Sequence, residues 1–123
     1  MRFMLDANML ILLLDLDEPV VRRASQCYEG DLCLSAIAYA EVMHGTVTGK
    51  APPQELLDEA VAVMPVAPFD QAAAQIYARL PFRRHRFDRL IAAHALALDV
   101  TLVTANDRDF RDIAGLRVEN WTK

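Results

Sequence analysis

Lysine is nearly missing from this chain: Lys50 and Lys123 are the only two in 123 residues. Its cationic side chains are therefore almost all arginines, planar forks suited to carboxylates and phosphates. Cysteine is as scarce. Cys27 and Cys33 stand in apolar surroundings, which argues against a disulfide framework and for two small core residues in a reducing cytoplasm. Long hydrophobic runs are absent too. Met9 to Leu14 is too short to cross a bilayer and is followed at once by Asp15, Asp17 and Glu18, so no membrane partner is expected. Without a basic start leading to a small-residue cleavage site, no secretory signal is expected either. The formal net charge of −4 excludes a protein that coats nucleic acid by charge alone. His44, His85 and His94 make no HExxH or Cys/His zinc spacing.

Apolar side chains make up 54% of the chain, so residues 1–123 are expected to form one domain with ample core. Arg2-Phe3-Met4-Leu5, Leu32-Cys33-Leu34, Val63 to Val66 and Val100 to Val103 read as short, nearly all-apolar strands, with Leu116 to Trp121 as a possible last one. Helices are predicted between them. Met9 to Leu14 and Val20 to Tyr28 come first, then Ala36 to Thr46 behind the N-cap Ser35, and Gln54 to Ala62. Asp70 caps an alanine-rich helix that runs to Leu80, Phe87 to Leu98 follows, and Asp107 to Ile113 is short. Gly45 and Thr46 to Pro53 read as a loop, a candidate flap. Apolar strands alternating with helices predict a parallel sheet covered on both faces, an α/β fold built as a three-layer α/β/α sandwich.

Four acids fall beside these buried elements: Asp6, Glu41, Asp88 and Asp107. Asp6 after the first strand, Asp107 after the fourth and Asp88 at a helix start share one edge of such a sheet, and Glu41 stands about two turns into a helix that starts there. Clustered carboxylates repel one another, and a divalent cation with hard oxygen ligands relieves that repulsion. Each acid also has a plainer use. Asp6 suits an N-cap, Asp88 a helix dipole, Glu41 an ion pair, and Asn106, Asp107 and Asp109 are three candidates for one place. The chemistry that fits several carboxylates is metal-assisted phosphoryl transfer to water. Arg83, Arg84, Arg86 and Arg89 crowd beside Asp88 and are candidate phosphate contacts, with a solvated surface as the plainer reading. Ser35 and Thr104, at strand ends, suit caps or the orientation of a water or phosphate.

Competing readings fit less well. A phosphoryl-accepting receiver domain needs a strand-end lysine, a place neither Lys50 nor Lys123 fills, and a haloacid-dehalogenase-like phosphatase needs an acid where Asn8 stands. A non-catalytic interaction module with structural acids is the remaining alternative.

Met4-Leu5-Asp6-Ala7-Asn8, the Ser35 to Val42 segment with Gly45, Phe87-Asp88-Arg89-Leu90-Ile91-Ala92-Ala93-His94-Ala95 and Leu102 to Phe110 resemble, in this order, a PIN-domain ribonuclease. Gly115 to Trp121 is similar to the tail of VapC toxins from bacterial VapBC toxin–antitoxin pairs. The resemblance implies an endoribonuclease dependent on Mg²⁺ or Mn²⁺, with Asp6 and Asp88 as principal ligands and Glu41 completing the pocket. It also implies a homodimer and a VapB-type antitoxin that blocks the site. Asp107 is chosen for the last acidic place, where Asn106 and Asp109 also stand.

Overall fold

A run of three apolar residues makes a strand only where both of its faces are covered, and β1 (Phe3–Leu5) is buried at every position. The computed structural model describes residues 1–81, 84 and 86–123. Among these, β1 lies at the centre of a five-stranded sheet with β2 (Leu32–Ser35), β3 (Val66–Ala67), β4 (Thr101–Val103) and β5 (Val118–Glu119). The spatial order is β3-β2-β1-β4-β5, and every pairing is parallel. Leu5 stands opposite Leu34 on one side and Val103 on the other, so β1 and β4 end level and β2 runs one residue further, to Ser35.

Side chains alternate across this sheet, as the period of two requires. Phe3, Leu5, Leu34 and Val103 point to one face. There they meet Met9 and Leu10 of α1 (Ala7–Leu14), Val20 of α2 (Glu18–Ser25), Val42 of α3 (Ala36–Val47) and Leu57 of α4 (Gln54–Val63). Met4, Cys33 and Leu102 point the other way, onto Ile91, Ala92 and Ala95 of α6 (Arg86–Leu98), beside which α5 (Gln71–Tyr77) packs. The result is the three-layer α/β/α arrangement. Cys27 and Cys33 are both free thiols, and burial pushes the Cys33 thiol up to about 11. No helix among the described residues is long and apolar enough to cross a membrane.

Element edges differ from expectation where edge pairing or proline intervenes. The third strand is only Val66–Ala67, because α4 continues to Val63 and Pro65 has no N–H for a ladder. The last strand is cut to Val118–Glu119, which pairs on one side only. α5 stops at Tyr77, and the chain tightens through Arg79 N–H to Ile76 O and Leu80 N–H to Tyr77 O before Pro81. Asp107–Phe110 forms a 3-10 turn instead of a helix to Ile113. The loop after α3 is tied back onto that helix by Lys50 N–H to Gly45 O at 2.7 Å and Thr46 Oγ1 to Pro52 O at 2.7 Å.

Candidate active site

In an open parallel sheet a crevice forms at the carboxyl ends where the strand order reverses, here between β1 and β4. Asp6 directly follows β1 and Thr104 directly follows β4. The Asp6 N–H continues the ladder to Val103 O at 3.1 Å, while its Oδ1 accepts from Met9 N at 2.8 Å and caps α1. The plainer reading of Asp6 as an N-cap therefore holds. The carboxylate is only 7% exposed. Burial raises its pKa, hydrogen bonds from the Thr104 hydroxyl and the Met9 N–H lower it, and the charge of Asp88 raises it, with a net upward shift. Thr104 is itself buried and accepts from Asn106 N at 3.0 Å, so its hydroxyl is held in place from behind.

Glu41 and Asp88 arrive from two helices. Ser35 caps α3 through Ile37 N at 3.0 Å, starting that helix at the same sheet edge and carrying half-buried Glu41 along its inner side. Asp88 stands in the first turn of α6, where the helix dipole favours an anion. Burial raises the Glu41 pKa first, and the charges of Asp88 and then Asp6 raise it further. Asp6, Glu41 and Asp88 thus lie within one another's field.

Asp107 is engaged by the chain's tail. Its carboxylate is bound by Asn120, whose Nδ2 lies 3.0 Å from Oδ1, and that bond lowers its pKa. The charges of Lys123 and Arg111 lower it further, and the 3-10 turn sets this carboxylate beside the chain's tail.

The arginines divide as well. Arg84 and Arg86 are exposed, and both line a hollow of about 430 Å³ with Glu41, Phe87 and Asp88. Arg83 lies outside the described residues. Arg89, expected as a phosphate contact, is held within the protein by an ion pair. It is 5% exposed, its Nη1 and Nη2 hold both oxygens of Asp112 at 3.2 and 3.0 Å, and Nη2 also donates to Asp109 O at 2.9 Å. Its guanidinium braces α6 against the segment after β4. Arg89 nevertheless lines a cleft of about 480 Å³ together with Arg84, Asp88, Arg108, Asp109, Arg111 and Asp112. The alternation of Arg108 and Arg111 with Asp107, Asp109 and Asp112 reads in sequence as a solvated charged surface, so no signal singled these two arginines out.

Among the described residues, no three His, Cys, Asp or Glu side chains stand close enough to hold one ion together. Mg²⁺ does not require that, since it keeps several waters and takes one or two carboxylates plus substrate phosphate. Carboxylates within one another's field are hard oxygen donors that suit such a cation, and Asp6 and Asp88 would be the ones to hold it.

A family model described as PIN domain matches residues 3–116. The tRNA(fMet)-specific endonuclease VapC of Shigella flexneri is 33% identical over 132 residues, covering 99% of each chain. This chain belongs to the VapC family of PIN-domain ribonucleases. Ribonuclease VapC1 of Haemophilus influenzae is also 33% identical, over 136 residues and the whole of both chains. Two solved VapBC structures superpose closely. That of VapBC2 from Rickettsia felis, bound to a promoter DNA fragment, has a TM-score of 0.85 at 26% identity, covering 98% of this chain and 99% of that one. That of VapBC-1 from nontypeable Haemophilus influenzae has a TM-score of 0.84 at 28% identity over 100% of both.

One further contact in this VapC-family chain escaped the sequence. His94 Nδ1 lies 2.9 Å from Ser35 Oγ, joining α6, which carries Asp88, to the cap of α3, which carries Glu41. Both side chains are buried, and the Phe69 ring meets the imidazole edge-on at 5.4 Å. Burial lowers the His94 pKa; the Pro68 carbonyl and Asp70 oppose that effect, although no described group meets hydrogen-bond geometry at Nε2.

Proposed function

We propose that this VapC-family chain is an endoribonuclease dependent on Mg²⁺ or Mn²⁺, the toxin of a type II toxin–antitoxin pair, acting on RNA in the cytoplasm. The observation that carries the metal dependence is the convergence of Asp6, Glu41 and Asp88, two of whose carboxyls are raised in pKa by burial and by their neighbours' charge. Asp6 and Asp88 are the residues to hold the ion. When bound, it supplies an acidified water and neutralises charge developing on phosphate.

The rest falls to the protein. Thr104 and the Met9 N–H orient the Asp6 carboxylate, and Glu41, with its raised pKa, accepts the proton of the attacking water. Arg84 and Arg86, with Arg108 and Arg111 across Asp88, contact phosphates flanking the scissile one. The Shigella relative is named for tRNA(fMet), which makes a folded tRNA the first substrate to try. Relatives solved as VapBC complexes support a VapB-type antitoxin as partner, and a homodimer is part of the same reading.

The test is incubation of folded RNA with wild type and Asp88→Asn, in Mg²⁺, in Mn²⁺ and in chelator. Cleavage by the wild type with metal alone supports the reading; equal cleavage by the variant, or cleavage in chelator, contradicts it.

A further inference from the structure

Phe87 is 59% exposed, a large aromatic ring left in water one residue before Asp88. It forms a wall common to two hollows. One, of about 550 Å³, is lined by Ile37, Ala40 and His44 along one side of α3 and ends at Glu41. The other holds Glu41 again, with Arg84, Arg86 and Asp88. An apolar floor therefore meets the acidic pocket at Glu41 and Phe87, and Arg84 and Arg86 line the pocket side.

We propose that Phe87 is a stacking platform for a nucleobase next to the scissile phosphate, with Ile37, Ala40 and His44 forming the floor on which that base rests. The inference rests on the ribonuclease reading and assigns it a substrate feature: an unpaired nucleotide, since a base inside a helix cannot turn its face to a protein ring. Charge complementarity selects this occupant over an apolar protein segment. A nucleotide carries an anionic phosphate and a flat apolar face a short distance apart, and one hollow is lined by both Arg84 and Arg86 and the Phe87 ring. Among the described residues, the other large exposed apolar side chains, Met1, Leu16, Tyr28, Val47 and Val63, line neither hollow. Exposure also means that little fold stability depends on the ring.

The experiment uses a short single-stranded RNA carrying the cleavage site mapped for the wild type, and versions with one flanking base removed at a time. kcat and KM are measured for wild type, Phe87→Ala, Phe87→Leu and Phe87→Trp. Stacking of one base on an aromatic side chain corresponds to a loss of about 5- to 150-fold on truncation. Phe87→Ala is expected to lose that much in kcat/KM, mainly through KM; tryptophan retains activity and leucine falls well below phenylalanine. One abasic position should cause the same loss in the wild type and no further loss in Phe87→Ala. Equal kcat/KM for Phe87→Ala and wild type, leucine as good as phenylalanine, or an abasic penalty that persists undiminished in Phe87→Ala would each overturn the platform while leaving the ribonuclease standing. So would unchanged RNA cleavage with a shifted monomer–dimer equilibrium, which would give the hollow to a second copy of the chain. A wild type that cleaves no RNA with metal would overturn the ribonuclease reading itself.

Discussion

Asn120 Nδ2 donates to Asp107 Oδ1 at 3.0 Å and to Ala105 O at 3.2 Å, tying the residue after β5 to the turn after β4. The acid nearest in sequence to Thr104 is thereby engaged in closing the chain's tail against the sheet. Asp107→Asn preserves an oxygen acceptor and is expected to change the RNA cleavage rate by no more than about twofold. Asp88→Asn, which removes a charge from the pocket itself, is expected to lower it by about 100-fold or more. Single-turnover rates on one RNA, read side by side, check the ranking; comparable losses in the two variants would return Asp107 to the site.

Arg89 is a brace, so its loss should be read in stability before activity. Removing a hydrogen-bonded, charged partner of this kind costs about 2 kcal/mol, and in a domain of this size that lowers the melting temperature by roughly 6 to 10 °C. Lysine should restore little, because one ammonium cannot span both oxygens of Asp112 and the Asp109 carbonyl. Thermal melts of Arg89→Ala and Arg89→Lys test this, and an unchanged melting temperature would make Arg89 available for phosphate after all.

His94 gives the fold a dependence on mild acid. Its folded pKa lies below the ordinary 6.5, so as pH falls below that value the unfolded chain takes up the proton first. Stability carried by neutral His94 is therefore complete above about 6.5 and declines as pH drops below it. Asp6 and Glu41 act with the opposite sign, their raised pKa values favouring the folded state as pH falls into the carboxylate range. Urea midpoints for wild type and His94→Asn at pH 7.5 and 5.5 separate the two effects. The wild type should lose more between the two than the variant; parallel losses would contradict the assignment.

Much of the fold is legible in the sequence, because buried strands leave unbroken apolar runs and Ser35 and Asp70 mark helix starts by their own chemistry. Asp6 and Asp88 are readable for the same reason: sheet topology sends everything after β1 and at the start of α6 to one edge. Glu41 is recognisable as an acid among apolar neighbours. What sequence spacing cannot carry is the direction of a side chain in a short irregular turn. Nothing in the sequence pairs Asp107 with Asn120 or Arg89 with Asp112, contacts set by the 3-10 turn and the segment that follows it. Ser35 and His94 are 59 residues apart, and their contact follows only from how α6 crosses the sheet.

The shared metal pocket is tested most directly by a thermal titration of wild type and Asp6→Asn with Mg²⁺ and with Mn²⁺. Asparagine keeps the cap on Met9 while removing a buried charge that its neighbours oppose, so the metal-free variant should melt a few degrees above the metal-free wild type. Metal should then raise the wild type in proportion to the logarithm of its concentration once the site is filled, leaving Asp6→Asn unmoved. A wild type that does not respond, or a variant that responds equally, would mean that Asp6 and Asp88 do not share an ion.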